Sequence, residues 1–236
     1  MRLRRIVEHL KTQNWTAIFL DFVIVVVGVF VAMQVSDWND ERKDRLNEKV
    51  ILARLASDFD AILEMEVSRA ERTAKSLEAT EAFVAMIRSD TVPKEASALE
   101  AIFKPMRAEP PPPPPSDTYA QLVANGEMSV IRSSELRLAL SQFERIRKQH
   151  EVGFQAIADS TIGIGEAFWT AVDLAEIAND TNRQSYAAEL SDVVDSPEFG
   201  AALNTLRMQQ SNNLHYHRLT LEEARRVTSL LSGEGE

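Results

Sequence analysis

Four histidines have the widest chemical range in this sequence, because imidazole can bind a metal or transfer a proton near neutral pH. His215 and His217 form a His-x-His pair, which chelates a metal from a β-strand, where residues i and i+2 share a face. On an α-helix the two side chains point about 200° apart, so one ion cannot take both. His9 lies in a basic segment and His150 on an apolar helical stripe, where a packed core residue is the ordinary interpretation. We expect no metal or cofactor site.

Carboxylates are abundant, but they form no isolated catalytic pair. Pairs such as Asp58 and Asp60 are common in an acidic helical protein, and their spacing does not mark an acid–base dyad. The chain has no cysteine, which excludes disulfides, a thiolate nucleophile and zinc sites built on sulfur. It contains no Gly-x-Ser-x-Gly or Walker pattern, and residues 163–165 lack the third glycine of a dinucleotide-binding loop. The sequence therefore indicates a non-catalytic protein.

The net charge of −10 argues against a nucleic-acid partner, because a duplex is densely negative and binding it needs clustered Lys and Arg. Residues 1–35 carry four basic and two acidic side chains, so residues 36–236 carry a net charge of −12. Anionic lipid headgroups repel such an acidic domain. We expect it to project into water.

Residues 15–35 predict a transmembrane helix. They form an apolar run of about 21 residues, or about 31 Å of helix, which matches one hydrocarbon thickness. Trp15 and Trp38 flank the run at a spacing suited to the two interfacial belts. A buried strand is the alternative, but a strand would end after about eight residues. A cleaved signal peptide needs a small-residue pair that the run does not offer, so we predict a retained anchor behind a basic tail, residues 1–14.

One face of this helix carries Asp21, Val25, Gly28 and Ala32. Gly28 and Ala32 form a small-xxx-small pair, which lets a second helix approach closely. Asp21 is costly inside a membrane and could hydrogen-bond that second helix. Alternatively, Asp21 extends to the interface and the small residues are incidental. The face is our candidate for self-association or for binding a protein partner.

The segment that follows, Ala32-Met33-Gln34-Val35-Ser36-Asp37-Trp38-Asn39, resembles a family of uncharacterised bacterial single-span membrane proteins. That family has an Ala-x-Gln-(Val/Ile)-x-x-Trp-Asn signature after its span. Asp21 matches an acidic position of the family, although Leu20 stands where glycine is usual. The spacing of apolar residues from Thr118 to Leu140 is similar to a second block of the family. The resemblance implies a bacterial inner-membrane anchor and no established activity.

Membrane orientation follows weakly from the Lys and Arg residues that flank the span, because the two sides nearly tie. A short basic tail before a first span usually stays in the cytoplasm, and long domains cross largely regardless of charge. We expect the tail in the cytoplasm and the C-terminal domain outside, or in the periplasm. The basic residues are Arg2, Arg4, Arg5 and Lys11 before the span and Arg42, Lys43, Arg45 and Lys49 after it.

Beyond the span, apolar periodicity predicts an all-α fold, an elongated antiparallel bundle of about three long helices plus short ones. The first long helix covers residues 39–88 with a spacing close to a coiled-coil heptad, and it can continue from the transmembrane helix. The second begins at about residue 133 and could bend at Gly163 and Gly165. A looser stretch at about residues 179–191 precedes the last helix, which is capped by Ser196.

Six consecutive prolines, residues 110–115, predict a polyproline II segment about 19 Å long. Such a segment has no N–H donors and is stiff. A stiff spacer between helices is one interpretation, and a ligand for an SH3-like domain is the other.

Two of the long helices have a polar interruption in the middle of their apolar stripe. If these helices are neighbours, the interruptions should meet in one hydrogen-bonded layer, since each unsatisfied buried polar group costs about 1–3 kcal/mol. Alternatively, both stripes turn to solvent there. The interruptions are Glu66, Arg69 and Thr73 in the first helix and Gln210, Asn213 and His217 in the last.

These features favour a membrane-anchored helical interaction or accessory protein that binds another protein, or itself. The alternative is a sensor-like ectodomain that binds a small ligand between its helices. Such a sensor would signal through a membrane partner, because only a short tail precedes the span.

Overall fold

The computed structural model describes the backbone of residues 15–107, 109–181 and 184–233, and their side chains except those of 15–18, 157–164, 181 and 184. The predicted tail, residues 1–14, and the side chain of Trp15 lie outside the described residues. Within these ranges the chain forms seven α-helices and one 3-10 turn, Met128–Val130, and no strand, which confirms the all-α prediction. The helices are α1 Trp15–Arg88, α2 Ala96–Met106, α3 Asp117–Asn125, α4 Ser134–Ile164, α5 Glu166–Thr181, α6 Gln184–Val194 and α7 Pro197–Ser232.

The chain divides into two compact units, residues 1–50 and 51–236, and α1 contributes to both. In the first unit, α1 carries an apolar stretch whose mean hydropathy reaches 2.3 and of which no side chain is buried. A core helix of a soluble protein would be mostly buried. Among the described residues, this helix alone is long and apolar enough to cross a membrane.

The second unit has two apolar cores. The first surrounds Phe59, whose ring meets Phe143 edge-on at 4.9 Å between centroids. The second surrounds Phe83, whose ring meets those of Phe103 and Phe199 edge-on. We call them the Phe59 core and the Phe83 core. The main members are Ile51, Leu55, Phe59, Ile62, Leu136, Leu140, Phe143, Ala224 and Val227 in the former and Phe83, Leu99, Phe103, Met106, Phe168, Leu190, Phe199 and Leu203 in the latter.

Contacts between side chains fix the helix directions in this unit. Along α1, Glu66 meets His217 and Phe83 meets Phe199, so α1 and α7 are antiparallel. Helix α4 is also antiparallel to α7, since Gln142 bonds Arg226 and His150 bonds Asn213. Helices α1 and α4 therefore run in the same direction, and the chain must return along the bundle between them.

The proline-rich segment makes that return. We call residues 109–116 the strap. Ser76 donates a hydrogen bond to the carbonyl of Met106 at 3.0 Å, just before the strap, and Ser116 at its end donates to Asp58 at 2.8 Å. From residue 76 back to 58, α1 covers about 27 Å. Ten residues of polyproline II reach about 31 Å, whereas ten helical residues reach only about 15 Å. An extended segment is therefore required.

The strap is packed against the helices. Pro110, Pro113 and Ser116 are buried, whereas Pro111, Pro114 and Pro115 are exposed. Burial at every third residue matches the threefold repeat of polyproline II, which presents one of its three faces to the bundle. The predicted stiff spacer is thus a structural part of the second unit.

The end of the strap begins α3. Ser116 is its N-cap and accepts a hydrogen bond from the backbone N–H of Tyr119. The carboxylate of Asp58 accepts from the Ser116 hydroxyl and from the Thr118 N–H, so a negative charge lies at the helix N-terminus, where the helix dipole favours it. Gly126 ends the helix with φ 71°. A left-handed residue of this kind is the usual helix stop.

The expected looser stretch at residues 179–191 is wrong for its described residues, because α5 continues to Thr181 and the next helix follows at Gln184. Helix α6 covers Gln184–Val194, and its Leu190 and Val194 are buried in the Phe83 core. Their four-residue spacing is the helical signal. The expected bend at Gly163 and Gly165 is a break, since α4 ends at Ile164 and α5 begins at Glu166.

Candidate functional site: a buried polar layer

A buried polar layer lies between the Phe59 core and the Phe83 core. Glu66 and His217 are both 0% exposed, and a hydrogen bond of 2.9 Å joins Glu66 Oε2 to His217 Nδ1. Arg69, one turn further along α1, approaches the second oxygen of Glu66 at 3.6 Å. The two polar interruptions therefore meet, and the prediction of one shared layer between these helices is confirmed.

The layer holds the strap through the carbonyl of Pro110. This oxygen accepts hydrogen bonds from Asn213 Nδ2 at 3.1 Å and from His217 Nε2 at 3.3 Å. Proline has no N–H, so a proline-rich segment forms no internal hydrogen bonds and its carbonyls remain available to other groups. Two side chains of α7 thus donate to the two lone pairs of the Pro110 oxygen.

The partners of His217 define which of its ring nitrogens donate. Pro110 O can only accept, so Nε2 must donate. Nδ1 faces the carboxyl group of Glu66, which accepts a hydrogen bond when it is ionised. With Glu66 ionised, both ring nitrogens donate and the two side chains form a charge-assisted hydrogen bond, which is roughly twice as strong as a neutral one.

A second anchor lies just before the strap. The carbonyl of Met106, the last residue of α2, accepts from the Ser76 hydroxyl at 3.0 Å and from Gln210 Nε2 at 2.9 Å. Gln210 Nε2 also donates to Ser76 Oγ at 2.9 Å. The last carbonyls of a helix have no partner within it. Side chains of α1 and α7 thus satisfy this one and fix the point where the strap leaves α2.

His150 brings α4 into the layer. Its Nε2 lies 2.6 Å from Asn213 Oδ1, and its ring stacks on Tyr216 and meets His217 edge-on. Burial, together with the positive charges of His217 and Arg69, lowers the pKa of His150 to about 4, against the raising effect of the Asn213 hydrogen bond. His150 is therefore neutral at pH 7. Its interpretation as a packed core histidine is confirmed.

Several buried polar atoms of the layer have no hydrogen-bond partner among the described residues. Leaving such an atom without a partner costs about 1–3 kcal/mol, and internal water often supplies the missing bond. The atoms are Glu66 Oε1, Arg69 Nη1, Thr73 Oγ1, His150 Nδ1 and Gln210 Oε1.

The His-x-His pair does not meet at one place. His217 is buried in the layer, whereas His215 is exposed and its ring touches that of Tyr216. In the described ranges, no group of three or more His, Asp or Glu side chains is arranged to hold a metal ion.

The transmembrane candidates Asp21, Val25, Gly28 and Ala32 all lie on α1 and are exposed, as is the anchor Trp38. Their spacing of four, three and four residues keeps the four candidates on one side of the helix. A Cβ atom added at Gly28 would meet nothing within 4 Å. The small-residue face is therefore open to a second helix.

Three participants in the layer are absent from the sequence prediction. Met106 and Pro110 contribute through backbone oxygens, which every residue has. Ser76 was missed, although it lies three residues after Thr73 and extends the same polar stripe. For Pro110, the only signal was the absence of N–H donors in the segment.

Comparison with family models, curated proteins and solved structures finds no match to this chain. The resemblance of residues 32–39 to a bacterial single-span family therefore stays a prediction.

The lowered pKa of His150 predicts that the protein loses stability in mild acid. The unfolded chain takes up this proton near pH 6.5, whereas the folded chain takes it up only near pH 4. The contribution of neutral His150 to the free energy of unfolding is complete above pH 6.5. It decreases by about 2–3 kcal/mol as the pH falls towards 4. Urea unfolding of the full chain in detergent micelles, followed by circular dichroism from pH 4 to 7, measures it.

Two variants isolate this contribution. His150→Gln keeps a donor for Asn213 but does not titrate, so its pH dependence should be flatter than that of the native chain. The exposed His215, changed in the same way, should leave the native pH dependence intact. A His150→Gln chain with the native slope would contradict the assignment.

Proposed function

We propose that the chain is a membrane-anchored, non-catalytic helical protein that binds a protein partner, or a second copy of itself, through its span. The observation that carries the proposal is the exposed apolar stretch of α1, with a carboxylate and two small residues on one face. The extramembrane unit would then present the bundle to the same partner or to another one.

The membrane assignment is supported by the exposure of bulky apolar side chains along α1. Phe19, Phe22 and Phe30 are each about two-thirds exposed. In water this surface would be unfavourable by about 25 cal/mol for each Å² of apolar area, whereas hydrocarbon accommodates it. We place the span in a bacterial inner membrane, with the tail in the cytoplasm and the C-terminal domain outside, on the basis of the family resemblance and the basic tail.

The partner assignment is supported by Asp21. A carboxylate in a membrane span costs up to about 3 kcal/mol on insertion scales, less near the interface. A hydrogen bond to a second helix offsets part of that cost, and Gly28 and Ala32 on the same face permit the close approach that the bond requires. The extramembrane layer does not suggest catalysis, because the Glu66–His217 pair is fully buried and anchors the strap.

A second candidate function is ligand binding by the extramembrane unit. A cavity of about 320 Å³ lies between the end of α1 and the α6–α7 turn, with Asp90, Lys94 and Asp195 among its lining residues. Its volume is at the lower end of the range of about 300–1,000 Å³ typical of small-molecule pockets.

The span interface makes a specific prediction. Asp21→Leu and Gly28→Leu should each weaken a complex in mild detergent by at least about tenfold, because the first removes the polar contact and the second fills the close approach. The matched control is Val27→Leu, since Val27 is exposed and lies about 100° around the helix from Gly28. Light scattering during gel filtration measures the mass of the complex. Equal behaviour of the three variants would remove the case for a helix partner.

The orientation is tested by a reporter that fluoresces only in the cytoplasm. Fused after Glu236 it should be dark, because we place the C-terminal domain outside. Fused before Met1 it should be bright, which is the control for expression and insertion. A bright, folded C-terminal fusion would reverse the assignment.

A further inference from the structure

A small cavity lies beside the polar layer, between the strap, α4 and α7. Its volume is about 20 Å³, which exceeds the 10–15 Å³ or so that one water molecule requires. Glu109 lines it from the strap, His150 from α4 and Asn212 from α7, and the rings of Phe154 and Tyr216 complete the wall. The cavity is therefore polar on several sides and too small for an organic ligand.

The tautomer of His150 determines which kind of hydrogen-bonding group fits this cavity. Asn213 Nδ2 donates to Pro110 O, so the Asn213 oxygen must point to His150, and His150 Nε2 must carry the proton that it donates. The neutral ring therefore has a bare lone pair on Nδ1. That atom is buried, lies on the residue that lines the cavity and has no hydrogen-bond partner among the described residues. It requires a hydrogen-bond donor.

The charges around the cavity favour a neutral hydrogen-bond donor. The positive charges of Arg69 and His217 already lower the pKa of His150, and they would repel a metal ion or an ammonium ion in the same way. An anion would face the lone pair of Nδ1 and the carboxyl of Glu109. A water molecule avoids both repulsions, and it can donate to Nδ1 while bonding to one or two further groups.

We propose that this cavity is a binding site for one structural water molecule, which donates to His150 Nδ1 and bridges it to Glu109 on the strap. The water extends the hydrogen-bonded chain that runs from Glu66 through His217, Pro110 and Asn213 to His150. It attaches α4 to the strap. Burial of the Glu109 carboxyl, which raises its pKa, agrees with a side chain turned towards the cavity.

A crystal structure of the full chain, at a resolution that shows ordered water, tests the site. We expect one water oxygen within about 3.2 Å of His150 Nδ1 and within reach of Glu109. An empty cavity, or a protein side chain bonded to Nδ1, would overturn the proposal. In the same crystal form, Glu109→Leu should lose the water while the Glu66–His217 bond persists. Retention of the water in that variant would exclude the bridge to Glu109.

The nature of the bound species is tested separately by thermal unfolding of the full chain in detergent. Ammonium chloride and sodium chloride at equal ionic strength should give the same Tm, because a site for neutral water gains nothing from ammonium. A higher Tm in ammonium chloride that disappears in His150→Gln would show that the cavity binds a cation, and the water assignment would be wrong.

Discussion

The buried pair of Glu66 and His217 is the interaction on which the second unit, residues 51–236, depends. Removing two charges from water costs several kcal/mol for each ion, and their attraction offsets this only when the remaining hydrogen-bonding positions are also filled. His217 meets that condition by donating to both Glu66 and Pro110, whereas Glu66 Oε1 has no hydrogen-bond partner among the described residues. The pair is therefore better regarded as a device for alignment than as a large net source of stability. A slip of one turn between α1 and α7 would leave two charges buried without partners.

The extended form of the strap follows from the same need to provide hydrogen-bond partners for buried polar groups. The Phe59 core and the Phe83 core are separated along α1 by a polar stretch from Glu66 to Thr80. Because α1 and α4 run in the same direction, the chain must pass back beside this stretch. A polyproline segment covers the required distance with few residues. Its carbonyls form no internal hydrogen bonds, so they are the acceptors that the polar side chains need. The prolines, the polar side chains and the helix directions are thus parts of one arrangement.

Much of this fold could be predicted from helical periodicity, including α1, α4, α7 and the meeting of the two polar interruptions. The parallel course of α1 and α4 could not, because periodicity defines helices but not their directions. The role of Pro110 could not be predicted from its residue type either, since it acts through a backbone oxygen. Helix α6 was underestimated because polar residues around residue 184 obscured the spacing of Leu190 and Val194. In the predicted span, Asp21 and Gly28 define a candidate interaction face from the sequence alone. No described residue lies within 4 Å of a Cβ atom added at Gly28.

The alignment role of the ion pair is tested most directly by a double-mutant cycle on Glu66 and His217, measured by urea unfolding of the full chain in detergent. Glu66→Leu and His217→Leu should each cost about 3–5 kcal/mol, because each leaves the other charge buried and unpaired. The double variant should lose at least about 2 kcal/mol less than the sum of the two, since no lone charge remains. The exposed residues Glu71 and His215, changed in the same way, should give additive losses. Additive losses for Glu66 and His217 would contradict the account.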